Sequence, residues 1–175
     1  PDLHGEPDLV EEIVRIHGLD NVPAVVPARA TALPQAALSA AQRRVTLAKR
    51  ALAARGLYES VTFSFTARAA AEAFGGGAPE LLLANPISAE LDAMRPSLLP
   101  NLVLAARRNA DRGQPDVGLF EVGPQYRDAT PKGQALVAGI LRAGKMDTEG
   151  WPLVPRAGDA LDAKADALAA LDALG

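Results

Sequence analysis

Gly56-Leu57-Tyr58-Glu59-Ser60-Val61-Thr62-Phe63-Ser64-Phe65 is the stretch on which the fold turns. Val61, Phe63 and Phe65 alternate with Ser60, Thr62 and Ser64, the two-residue period of a half-buried strand. The alternation predicts that Val61, Phe63 and Phe65 face inward against a layer of helices. Upstream, residues 39–55 place Val45, Leu47, Ala48, Ala51 and Leu52 at helical spacing among Gln42, Arg43, Arg44, Lys49 and Arg50, and Gly56 closes that helix. Downstream, Thr66 reads as the N-cap of a short helix through Phe74, Gly75-Gly76-Gly77 as a turn, and residues 81–84 as a strand. A helix over residues 98–112 follows the Arg95-Pro96-Ser97-Leu98-Leu99-Pro100 lead-in. Two strands are predicted at 117–122 and 135–141, and the Ala- and Leu-rich residues 161–174 form a last helix. Helices and strands mix without strict alternation. The reading is α+β: an antiparallel sheet flanked by helices, with the helices on one sheet face.

Ahead of this region lies a second, smaller unit. Leu9, Val10, Ile13, Val14 and Ile16 recur at helical spacing over residues 8–17, with Asp8-x-x-Glu11 as a capping-box start and Gly18 as the stop. Pro23, Pro27 and Pro34 then remove backbone donors and disfavour helix, which marks an extended linker. The organisation predicted is residues 1–28 as the end of one domain plus linker, and residues 29–175 as the core of another.

Composition narrows the function classes. The chain is 49% hydrophobic and 22% charged with 4% aromatics, so a small-aliphatic core is expected. A net charge of −3 and pI near 5.4 deny it the broad positive field of a free-standing nucleic-acid binder. It has no cysteine, which excludes disulfides, thiolate metal sites and a cysteine nucleophile. No run of apolar residues suits a membrane helix, and the Pro1-Asp2-Leu3-His4 start carries neither initiator Met nor signal pattern. A cytoplasmic segment of a longer protein, without membrane contact, is expected.

Four groups of residues are candidates for chemistry. Asp2, Asp8, Glu11 and Glu12 gather carboxylates at one end of one helix, and hard oxygen donors without His or Cys suit Mg²⁺. The competing use of the same residues is a capping box with acids complementing the helix dipole. Gly75-Gly76-Gly77 lacks the lysine of a P-loop and the spacing of a dinucleotide fingerprint, so it reads as a turn. His4 and His17 belong to no triad-like order. Arg107, Arg108 and Arg112 share a helix that could touch RNA phosphate, yet no aromatic residues interleave with them, and a solvated helix face is the plainer reading.

Pro1-Asp2 with the run from Asp8-Leu9-Val10-Glu11-Glu12 to Asn21-Val22-Pro23 resembles the end of the metal-carrying domain in the β subunit family of bacterial phenylalanyl-tRNA synthetases. The strand 56–65, then Asn85-Pro86-Ile87-Ser88, Met94–Leu102 and Leu119-Phe120-Glu121-Val122-Gly123 resemble that family's synthetase-like core in the same order. The resemblance implies a class II aminoacyl-tRNA synthetase-like core without catalytic or ATP-binding residues of its own, truncated before the third motif. It implies Mg²⁺ held by the acids matching Asp2, Asp8, Glu11 and Glu12 at a place shared with the α subunit. The implied partners are the α subunit, met through helix 39–55 and the neighbouring strand in an α₂β₂ tetramer, and tRNA through the whole assembly. The implied function is a non-catalytic core supporting the α subunit in ATP-dependent attachment of phenylalanine to its tRNA. A stand-alone RNA-binding or class II synthetase-like regulatory module is the alternative. The residues agree with an inactive core, because the Arg-x-Glu pair that clamps ATP in class II sites has no match: Arg127 is followed by Asp128 and Ala129.

Overall fold

A computed structural model of the chain describes residues 3–28, 36–146 and 154–175, arranged as two units, Pro1–Ala37 and Leu38–Gly175. The first unit is carried by helix α1, Glu6–His17, followed by a single 3₁₀ turn at Leu19–Asn21. The helix begins two residues earlier than the capping-box spacing suggested. Gly5 is its N-cap, Pro7 occupies the first turn where a missing amide costs nothing, and Asp8 lies one turn in. The Asp8 carboxylate accepts the Gly5 amide at 2.9 Å and the His4 amide at 2.7 Å, so it still satisfies orphan donors, from inside the helix. Leu9, Val10, Ile13 and Ile16 are exposed on it.

The second unit opens with helix α2, Ala40–Ala54. Ser39 caps it reciprocally with Gln42: the Gln42 amide donates to the Ser39 hydroxyl at 3.2 Å and the Ser39 amide to Gln42 Oε1 at 2.9 Å. The stretch 56–65 does not form one strand. It gives strand β1, Tyr58–Glu59, and after a break strand β2, Phe65–Thr66. Helix α3, Arg68–Ala73, follows, with the Arg68 amide donating to the Asp92 carboxylate at 2.8 Å. Thr66 is therefore not the cap expected of it: Ala67 is the N-cap, and a first-turn amide is satisfied by a carboxylate 24 positions away. The strand expected at 81–84 does not form: Pro79–Leu81 is a 3₁₀ turn, and Leu82 makes an isolated bridge to Ala93. Strand β3, Ala93–Met94, pairs antiparallel with β2. Helix α4 spans Leu99–Ala110 with proline in its first turn. Strands β4, Val117–Tyr126, and β5, Gln134–Ala143, form an antiparallel hairpin over their full length, from Val117 opposite Ala143 to Tyr126 opposite Gln134. Strands β6, Lys145–Met146, and β7, Arg156–Ala157, make a small ribbon ahead of helix α5, Ala160–Leu174.

The main sheet has the order β1-β4-β5, and β1 joins β4 in parallel, Tyr58 opposite Leu119 and Glu59 opposite Phe120. Helices cover both faces of it, not one. Leu119 packs with Leu98, Leu102 and Ala106 of the α4 region, joined by Val117, Val137 and Leu141. Phe120, the next residue, packs on the opposite face with Leu52 of α2, Leu57 and Ala170 of α5, joined by Val122 and Ile140. Apolar residues at both parities of β4 require this two-sided cover. Gly139 lets α4 approach closely, since a Cβ there would lie 2.8 Å from Leu98 Cβ.

The inward orientation expected of Val61 and Phe63 is reversed. Val61 is 85% exposed and Phe63 62% exposed, whereas Thr62 and Ser64 turn inward and are partly buried. The register is one residue off from the hydrophobic pattern, which exchanges the two faces.

A carboxylate anchors the last helix. Asp166 of α5 is buried and accepts Arg55 Nε at 2.9 Å and Arg142 Nε at 2.5 Å, while Arg142 Nη2 donates to the Arg55 carbonyl at 3.0 Å. Desolvation pushes the Asp166 carboxyl upward, but hydrogen bonds from Arg142 and then Arg55 outweigh it and hold it below the usual carboxylate range.

Two predictions follow from this packing. Leu102→Ala, at a fully buried position, is expected to lower stability by about 2–5 kcal/mol in urea unfolding, the range for large-to-small core changes. For Asp166, the folded pKa lies below the unfolded one, so its contribution is present above about pH 4 and disappears as pH falls through the folded value. Asp166→Asn should therefore be less stable than wild type at pH 7, and the gap should narrow when both are melted near pH 3.

Candidate functional site

The expected metal ligands are placed as follows. Asp8 is engaged with the backbone of Gly5 and His4, and Glu12 pairs with Arg15 at 2.6 Å; Glu11 is exposed. Asp2 lies outside the described residues. Among the described residues, no three His, Asp or Glu side chains gather closely enough to hold a metal ion. The donor chemistry suits Mg²⁺, but the described acids do not form a ready-made cage for it. His4 contributes its amide to the Asp8 carboxylate, and Gly75 and Gly77 take positive φ in a turn.

The connection between β4 and β5 is where the Arg-x-Glu clamp of a class II site would lie. Arg127 is 83% exposed there and rests 3.9 Å from the Asp128 carboxylate. Asp128 is turned onto Thr130, accepting its amide at 2.8 Å and its hydroxyl at 2.6 Å. These bonds, the hydroxyl first, lower the Asp128 pKa. The acid is thus committed to shaping the turn, and Ala129 offers no functional group to a phosphate.

A dense polar constellation of the second unit is instead buried. Arg95 and Glu121 are 1% and 3% exposed and pair at 2.9 Å through Arg95 Nη1. Arg95 also donates from Nε to the Pro124 carbonyl at 2.8 Å, and from Nη1 to Thr62 Oγ1 at 2.8 Å and the Phe63 carbonyl at 3.2 Å. Thr62 donates its hydroxyl proton to Glu121 Oε2 at 2.6 Å. Asn101 of α4 completes the set, donating from Nδ2 to the Phe63 carbonyl at 2.7 Å and to Thr62 Oγ1 at 3.2 Å. Only glycine fits at 123, where a Cβ would lie 2.7 Å from Arg95 Nη2. Sequence reading singled out Arg95, Asn101 and Glu121 only as parts of blocks; a burial role for an arginine and a glutamate has no local sequence signal.

Outside this network runs an apolar ridge of Val61 and Phe63, with the Phe63 and Phe65 rings stacked at 6.5 Å. Beside it a groove of about 970 Å³ passes between this segment and α4, lined on the helix side by Leu104, Arg107 and Arg108. Glu90 and Asp111 line the same groove, so its charge is mixed. Arg107 lies 4.0 Å from Asp111 and Arg108 Nε donates to the Leu104 carbonyl. An RNA backbone would meet carboxylates here as well as guanidinium groups.

Among the described residues, no helix is long and apolar enough to cross a membrane. Comparison with known proteins agrees with the geometry. Residues 22–175 match the family model described as the phenylalanyl tRNA synthetase beta chain CLM domain. Phenylalanine–tRNA ligase beta subunits from Rhodospirillum rubrum and Paramagnetospirillum magneticum are each 55% identical over 99% of this chain. That of Brucella abortus is 50% identical over 99% of it. The chain spans about a fifth of these relatives, 22% of their length. The pyrrolysyl-tRNA synthetase of Desulfitobacterium hafniense superposes with a TM-score of 0.55 over 95% of this chain and 51% of its own, at 15% identity, a likeness of fold alone. With a family model matching residues 22–175 and relatives at half identity over 99% of the chain, this protein belongs to the phenylalanyl-tRNA synthetase beta chain family.

Proposed function

We propose that the chain is a non-catalytic scaffold of phenylalanine–tRNA ligase, supporting a catalytic α subunit in the ATP-dependent attachment of phenylalanine to tRNA. The observation that carries the reading is the β4–β5 connection: the strands of a class II core are present, while Arg127 projects into solvent and Ala129 replaces the second member of the ATP clamp. Electrostatic stabilisation of a reacting phosphate needs donors aimed at it from fixed positions, and this turn spends its acid on Thr130 instead.

The partner is met through the second unit. Leu47 on α2 and Val61 and Phe63 after β1 are exposed apolar residues, the kind of surface that a second subunit removes from water. Contact with tRNA belongs to the assembled α₂β₂ enzyme, consistent with the net charge of −3 on this chain. The acids Asp2, Asp8, Glu11 and Glu12 would hold Mg²⁺ in that assembly. When bound, the ion neutralises their mutual repulsion and fixes the end of α1. In the chain alone Asp8 is occupied by amides and Glu12 by Arg15, so coordination requires them to exchange partners.

Pyrophosphate exchange with phenylalanine and ATP is expected to show no turnover by the purified chain; turnover that disappears in Arg127→Ala would overturn the scaffold reading. A Mg²⁺ titration of the chain by calorimetry, compared with the chain assembled with its α subunit, tests the acids. Binding at least about tenfold tighter in the assembly, and lost there in Asp8→Asn, is the expected result. Equally tight, Asp8-dependent binding in both would show a site complete within this chain.

A further inference from the structure

We draw no further inference here: the strongest candidate, the groove between residues 61–67 and α4 with the buried Thr66 hydroxyl on its lining, carries none, because its walls mix Arg107 and Arg108 with Glu90 and Asp111 and nothing in the structure shows what covers it.

Discussion

The pairing of Arg95 with Glu121 inside the second unit is the constraint around which its other features arrange themselves. Two full charges removed from water are tolerable only if nearly every remaining hydrogen-bonding position finds a partner. Four separate segments are recruited to meet that demand: Thr62 and Phe63 after β1, Arg95 after β3, Asn101 in α4, and Glu121 to Pro124 in β4. The glycine at 123 belongs to the same solution, because any side chain there would displace the guanidinium group. A chain with 4% aromatic residues has few large side chains with which to fix segments by shape, and hydrogen-bonded charge supplies the missing specificity.

A second ionic cluster does comparable work on the other face of the sheet. Asp166 draws the end of α2, through Arg55, and the end of β5, through Arg142, onto α5. The aliphatic residues beneath it, Leu52, Leu57, Phe120 and Ala170, provide the burial, while the two arginines fix where the helix sits. Each face thus combines a modest apolar patch with one carboxylate that accepts from more than one donor. The two carboxylates differ in consequence: Asp166 joins elements to one another, and Glu121 decides which way an irregular segment faces.

Local signals were enough for much of this fold. The periodicity of α2 and α4 and the two runs that form the β4–β5 hairpin announce themselves within a few residues, and the structure agrees with them. The failures occur where the deciding partner is distant. Thr66 looked like a cap, yet Ala67 is the N-cap of α3 and the Arg68 amide goes to the distant Asp92; residues 60–64 looked like an apolar-in strand, yet Thr62 turns inward onto Arg95 and Glu121. Asp8 was legible as a helix-start acid, but Gly5, without a side chain to mark it, is the cap. The absence of an ATP clamp was visible in Arg127-Asp128-Ala129, whereas the turn of Asp128 onto Thr130 was not.

The parallel contact of β1 with β4 also governs the order in which the molecule can be made. Tyr58 and Leu119 lie 61 positions apart in the chain, and Arg55 and Asp166 lie 111 apart. The β4–β5 hairpin, by contrast, closes through a short turn and is the cheapest piece to form. As the chain leaves the ribosome, α2 and the ridge behind it emerge long before the strand against which they rest. Their apolar residues wait in solution during that interval, a window in which a chaperone or an early-arriving subunit would find them uncovered.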